Sequence, residues 1–274
     1  MNRFPIAPGQ ALIVFSDLDG TLIDHHTYSV EGADYALNQI QKRAWPLVFC
    51  SSKTFAEQVF LQYQLGITAP FILENGSAVA IPKGYFATLA PAPIQREGFE
   101  IFPLAQADFT AARAEIAHFQ GIKGFSDVAD AELTALTGLQ GEALARARDR
   151  WFTETLVTPL DAAQAKSLGK QLAKKGWVLS KGGRFHTLLS AQADKGRAMQ
   201  WLAKIFGQNL SMMPLLAAIG DSPNDFPMLA AAHFPFLVQR HDGTWADLEL
   251  PNLIKIEGIG PEGFSAAIRT LLGN

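Results

Sequence analysis

Three apolar runs in this chain each end in a short polar segment whose residue types could do chemistry. Asp17-Leu18-Asp19-Gly20-Thr21 follows Ala11–Phe15, Ser51-Ser52-Lys53 follows Pro46–Cys50, and Gly220-Asp221-Ser222-Pro223-Asn224-Asp225 follows Leu215–Ile219. Short apolar runs bounded by turn residues read as buried strands, and in an open parallel sheet ligands bind beyond the carboxyl ends of the strands. If the three strands are neighbours, four acidic groups and a hydroxyl meet at one edge. Carboxylates gathered in this way repel one another unless a cation sits among them. With oxygen donors and no Cys or His in these segments, Mg²⁺ is the cation that fits. Asp17 and Asp19 stand two apart, so in an extended segment both side chains leave the same side. One can then be a nucleophile forming an aspartyl-phosphate, and the other an acid/base for the leaving oxygen and the attacking water. Phosphoryl transfer rests on positioning and charge neutralisation, which calls for a lysine as well. Lys195, at the start of a predicted helix whose N-terminus also favours phosphate, is the candidate.

The surrounding pattern supplies elements to hold these groups. Strands are predicted at Ala11–Phe15, Pro46–Cys50, Phe71–Leu73, Ala78–Ile81, Leu215–Ile219 and Phe234–Val238, the last clear strand. Helices are predicted over Val30–Ala44 with Ser29 as N-cap, from Thr54 to Gly66 with a Thr54/Glu57 capping box, from Lys195 to Phe206 with Asp194 as N-cap and Gly207 as its stop, and over Phe264–Leu272. This alternation is that of an α/β fold with a parallel sheet. Between about residues 89 and 189 the rhythm is lost. Helices at Asp108–His118 and Asp161–Lys175, a strand at Trp151–Val157 and a hairpin around Lys181-Gly182-Gly183 suggest an inserted α+β domain. The expected organisation is therefore a core of residues 1–88 and 190–274 with an insert at 89–189.

Composition excludes several other classes. The net charge is −3 with no run of Lys or Arg, so the phosphate-neutralising source of nucleic-acid binding is missing. Charged residues make up 18% and apolar ones 48% of 274 residues, which is ordinary for a folded protein and too apolar for disorder. The longest apolar stretches fall far short of the ~20 residues of a membrane helix. Cys50 is the only cysteine, which excludes an intrachain disulfide and a cysteine-based zinc cluster. Arg3, Pro5, Pro8 and Gly9 do not read as a signal peptide, and a cytoplasmic location is the expectation. The sequence carries no reading of oligomeric state.

The ordered segments resemble the four motifs of the haloacid dehalogenase superfamily. That resemblance implies a Rossmann-like core, Asp17 as nucleophile, Asp19 as general acid/base, and Ser51 and Lys195 as phosphate-binding residues. It further implies Mg²⁺ held by the carboxylate of Asp17, the backbone carbonyl of Asp19 and Asp221, with Asp225 and Asn224 behind them and Asp225 orienting Lys195 or a metal-bound water. Thirty-four residues separate Asp17 from Ser51 and 144 separate Ser51 from Lys195, so the insert lies where the family carries its type-two cap, of the α+β variety. The segments DLDGTLIDHHTYS (17–29), SSKT (51–54), PFILENG (70–76), IPKGYF (81–86), GGRF (182–185) and DKG (194–196) are similar to mannosyl-3-phosphoglycerate phosphatases. Members of that family remove phosphate from mannosyl- or glucosyl-3-phosphoglycerate, which makes a phosphorylated sugar acid the expected small-molecule substrate.

A glycerate carboxylate needs a cation, and an arginine can grip it with two parallel hydrogen bonds. Arg184, Lys181 and His186 around the cap hairpin are the candidates for that contact, with Glu74 as a further substrate residue and Arg150 and Glu154 behind them. His25 and His26 follow the first motif as loop residues that could touch substrate, while His118 and His233 read as structural. A broad-specificity sugar or cofactor phosphatase, a phosphosugar mutase and a non-catalytic sugar-phosphate sensor are the alternative readings.

Overall fold

The computed structural model describes residues 9–87, 93–182 and 184–273. Its centre is a five-stranded parallel sheet built from β1 (Leu12–Ser16), β2 (Leu47–Phe49), β10 (Leu215–Gly220), β11 (Phe234–Gln239) and β12 (Ile254–Ile259), in the order β12-β11-β10-β1-β2. β1 is buried on both faces because its alternate residues enter different cores. Leu12 and Val14 pack with Ile40 of α1 (Asp34–Lys42), Phe55 of α2 (Phe55–Leu65) and Phe264 and Ile268 of α9 (Gly260–Leu272). Ile13 and Phe15 pack with Leu202 and Phe206 of α7 (Lys195–Leu210) and Met228 and Leu229 of α8 (Phe226–Ala230). Helices on both faces leave the carboxyl edge of the sheet as the open side.

A bridge between Cys50 and Ile72 joins β2 to β3 (Phe71–Leu73) and starts a second, antiparallel sheet. That sheet runs β3, β4 (Ala78–Pro82), β6 (Phe99–Pro103), β5 (Ile94–Arg96). The third sheet, β7-β9-β8, comprises β7 (Glu154–Leu156), β8 (Trp177–Lys181) and β9 (His186–Ser190). It packs with α3 (Phe109–Ile116) and α6 (Ala162–Ala173), while α4 (Asp130–Thr137) and α5 (Gly141–Arg148) form a smaller cluster with Phe125 and Val157. The expected domain boundary at 88–89 lies outside the described residues, as does Gly183 of the expected Gly-Gly loop. Beyond that boundary β6 still pairs onto β4 and β5 onto β6, and β9 continues to Ser190.

The predicted elements are present, with informative differences in extent. The Thr54/Glu57 capping box forms: Glu57 N donates to Thr54 Oγ1 at 3.2 Å and Thr54 N to Glu57 Oε2 at 2.9 Å. The first helix begins at Asp34 and not at Val30, because Ser29 Oγ accepts from Glu31 N at 3.0 Å in a local turn and is spent before the helix starts. α7 runs through Gly207 to Leu210 and ends at Ser211 in the left-handed region. A Cβ at Gly207 would crowd only the flexible end of the exposed Met213 side chain, so the position does not stop the helix. β12 follows the strand expected to be last. It is an edge strand with mostly polar or half-exposed positions, so it lacks the apolar run that marks its neighbours. No described helix is long and apolar enough to cross a membrane.

Candidate active site

The parallel register brings the polar strand ends together. Ser16 pairs with Ile219 on one side and Phe49 on the other, and Asp17 N donates to Ile219 O at 2.9 Å. Asp17, Ser51 and Asp221 therefore leave three neighbouring strands at one edge. Lys195, the first residue of α7, is 1% exposed, and its Nζ donates to Asp17 Oδ1 and to Asp225 Oδ1, both at 2.7 Å. Asp225 Oδ2 turns back to accept from Asp221 N and Ser222 N, each at 3.1 Å, closing the loop after β10. Gly20 faces this group, and with a φ of +79° any Cβ there would lie 2.9 Å from Asp221 Oδ2.

The electrostatics of the cluster are unbalanced. Three buried carboxylates surround one ammonium. Burial, then the charge of Asp225, raise the Asp17 carboxyl to about 7, against the opposing pull of Lys195. Burial and the neighbouring Asp225 and Asp17 likewise raise Asp221. Burial alone would weaken the hold of Lys195 on its proton, but Asp17 and Asp225 outweigh it and keep the side chain charged. One oxygen from each of Asp17, Asp221 and Asp225 lies within 4.8 Å of the others, and Asp221 Oδ1 is buried without a hydrogen-bond partner among the described residues. A hard divalent cation fits this donor set: it would take the orphaned oxygen and offset the excess negative charge. Both oxygens of Asp225 are engaged by Lys195 and backbone N–H groups, so Asp17 and Asp221 are the carboxylates left to hold it.

Asp19 stands apart from this cluster, facing a cavity of about 120 Å³ between core and cap. Its Oδ1 lies 3.0 Å from Lys53 Nζ, which also reaches Glu57 at 3.4 Å. Arg150 and Arg184 reach the same cavity from the cap. Arg150 Nη2 donates to Ser52 O at 2.8 Å, and Arg184 Nη2 donates to Tyr28 Oη at 2.5 Å and Thr137 O at 3.2 Å. Ser51 is fully buried, its Oγ accepting from Lys53 N at 3.2 Å. Asn224 Nδ2 donates to Asn75 Oδ1 at 3.3 Å.

Other candidates sit elsewhere. Lys181 and His186 pair with each other across β8 and β9 and do not line the cavity. Glu74 is a correction: it is fully buried, and both carboxylate oxygens are consumed by the chain. Trp151 N donates to Oε1 at 2.7 Å, while Phe152 N, Thr153 N and Thr153 Oγ1 donate to Oε2 at 3.1, 2.9 and 2.6 Å. Glu154 is enclosed in the cap beside Arg113. His25 lines the cavity and stacks on His241 at 4.6 Å, whereas His233 is structural, its Nδ1 accepting from Leu216 N. Sequence reasoning assigned no role to Lys53 or Tyr28. Lys53 was visible as the charge ending the second polar segment, but Tyr28 had no local signal beyond an aromatic side chain in a polar loop.

Residues 14–242 match the family described as haloacid dehalogenase-like hydrolase. The chain belongs to that family. It is 37% identical to a glucosyl-3-phosphoglycerate/mannosyl-3-phosphoglycerate phosphatase from Persephonella marina, over 95% of this chain and 97% of the relative. It is also 30% identical to a mannosyl-3-phosphoglycerate phosphatase from Pyrococcus furiosus, over 89% and 98% of the two chains. With relatives of this kind it is a phosphoric monoester hydrolase. Among solved structures, a phosphatase of the same superfamily from Bacteroides thetaiotaomicron superposes with a TM-score of 0.64 at 14% identity, covering 98% of this chain and 97% of the other. The sucrose-phosphatase from Synechocystis does so with a TM-score of 0.61 at 16% identity, over 96% and 98%. At those identities the likeness is one of fold.

Proposed function

We propose that this hydrolase is a Mg²⁺-dependent phosphatase that releases phosphate from glucosyl-3-phosphoglycerate or mannosyl-3-phosphoglycerate through an aspartyl-phosphate. The observation that carries the reading is the buried Asp17–Lys195–Asp225 clasp two residues from Asp19, which lines a cavity that Arg150 and Arg184 line from the cap side. Asp17 Oδ1 is held by Lys195, which leaves Oδ2 to attack phosphorus. The P–O bond to the sugar acid breaks as the Asp17 bond forms, and Asp19 gives its proton to the leaving oxygen. Asp19 then takes a proton from water as that water displaces Asp17, returning both carboxylates to their starting state. Lys195 and the Ser51 hydroxyl hold phosphoryl oxygens, while Asp225 fixes the Lys195 ammonium.

Asp17, Asp221 and the backbone carbonyl of Asp19 would hold Mg²⁺. The part given to the Asp19 carbonyl is the one the family resemblance implies, while the Asp19 side chain meets Lys53. When bound, the ion supplies neutralisation of the phosphoryl charge. The guanidinium groups of Arg150 and Arg184 supply the cations a glycerate carboxylate requires.

The test is phosphate release from glucosyl- and mannosyl-3-phosphoglycerate, hexose phosphates and nitrophenyl phosphate, with Mg²⁺ and with chelator. A strong preference for the glycosyl esters, abolished by chelator, is expected. Equal turnover of every ester would remove the substrate assignment, and full activity in chelator would remove the metal.

A further inference from the structure

The cations at the cavity differ in how their charge is met. Lys53 faces Asp19 and Glu57, and Arg150 lies 3.9 Å from Glu74. Arg184 has no carboxylate at ion-pair distance among the described residues; its Nη2 is held by two neutral oxygens, the Tyr28 hydroxyl of the core and the Thr137 carbonyl of the cap. An arginine fixed by neutral acceptors over a cavity keeps its charge for an incoming anion.

Tyr28 is held for this contact at a conformational cost. Its φ of +58° lies in the left-handed region, which is rare for a bulky side chain and persists where surroundings impose it. The imposition is visible: Asp24 Oδ1 accepts from His26 N, Thr27 N and Thr27 Oγ1, and Asp24 O accepts from Tyr28 N at 3.1 Å. The turn aims the ring across the cavity, with Lys53 Nζ 5.0 Å from its centroid on the core side and Arg184 on its hydroxyl. Tyr28 thus ties a cap cation to the loop that follows the nucleophile strand.

We propose that Tyr28 is a positioning residue for substrate selection: its hydroxyl holds Arg184 over the cavity so that the remaining N–H groups take the substrate carboxylate. The inference rests on the proposed function and adds to it the device that selects phosphate esters carrying a carboxylate.

The experiment measures kcat and KM for glucosyl-3-phosphoglycerate and for the glucosyl glycerol phosphate in which the carboxylate is reduced to a hydroxymethyl group, in wild type, Tyr28→Phe, Arg184→Met and the double variant. Tyr28→Phe keeps the ring and the backbone requirement and removes only the acceptor. The expected result is a fall of about tenfold in the preference for the carboxylate ester, carried by KM, in each single variant. The double variant should fall no further than the worse single one, because both changes break one contact. An unchanged preference in Tyr28→Phe, an equal loss on both esters, or additive losses would overturn the proposal. A wild type without preference for the carboxylate ester would overturn the proposed function as well, and that failure is read from the wild-type values alone.

Discussion

Replacing Glu74 by Gln should cost stability without touching substrate recognition. The carboxylate accepts one hydrogen bond at Oε1, from Trp151 N, and three at Oε2, from Phe152 N, Thr153 N and Thr153 Oγ1. With the amide oxygen placed at the Oε2 position, Glu74→Gln keeps three of these bonds, each now to a neutral acceptor. The amide nitrogen then meets the Trp151 N–H donor to donor. A hydrogen bond to a charged group is worth about 1.5–3 kcal/mol, and a buried donor left unpaired costs a similar amount. Arg150, whose Nε lies 3.9 Å from Oε2, loses its nearest anion as well. The loss should be about 3 kcal/mol, read as a lower urea midpoint with an unchanged slope. Glu74→Ala should cost more, because three backbone N–H groups lose their acceptor together. Measured per folded molecule, KM for the glycosyl ester should not rise in Glu74→Gln, because Arg150 loses a facing carboxylate but is still held by Ser52 O and Thr153 Oγ1. Wild-type stability combined with a raised KM would refute the reasoning and return Glu74 to the substrate.

Three further outcomes follow from the site itself. Asp17→Asn should lower phosphate release by at least a thousandfold, since an amide cannot form the acyl-phosphate; wild-type turnover would exclude the covalent route. Asp225→Asn should lower kcat by roughly a hundredfold with a smaller effect on KM, because it frees one side of the Lys195 ammonium; an unchanged kcat would mean that Asp17 alone positions the lysine. In metal-free protein, Asp17 keeps its proton up to about pH 7 when folded and loses it near the ordinary carboxylate value when unfolded, so its contribution to stability falls as pH rises between about 4 and 7. Mg²⁺ needs the deprotonated carboxylates, and the urea-midpoint gain on adding it should therefore be larger at pH 8 than at pH 5; equal gains would show that the cluster does not hold the ion.

What was legible in the sequence depended on how local its cause was. Asp17, Ser51 and Asp221 were readable because each interrupts an apolar run at a strand end, and parallel pairing then brings strand ends together whatever the rest of the chain does. Lys195 was readable from its place at a helix start after Asp194, whose side chain accepts from Arg197 N as an N-cap should. Glu74 was misread for a physical reason: a carboxylate in a loop next to the active edge looks the same in sequence whether it meets a ligand or the backbone of a segment about eighty residues away. β12 escaped because an edge strand buries too little to need an apolar run.

Tyr28 and Arg184 mark the limit of sequence reading from the other side. They lie 156 residues apart, and neither changes the local pattern of its segment. Their meeting is fixed by the docking of cap on core, to which Thr54 Oγ1 donating to Arg146 O and Arg150 Nη2 donating to Ser52 O also contribute. The residues proposed for phosphate release thus lie in short segments at strand ends and at one helix start, which the parallel sheet and its helix bring together. On the proposed reading, selection among phosphate esters depends on residues from distant parts of the chain, and Tyr28 and Arg184 take that role only once cap and core are docked. Arg184→Met is therefore expected to alter what the cavity accepts and to leave the Asp17–Lys195–Asp225 clasp intact, because no bond of that clasp involves Arg184.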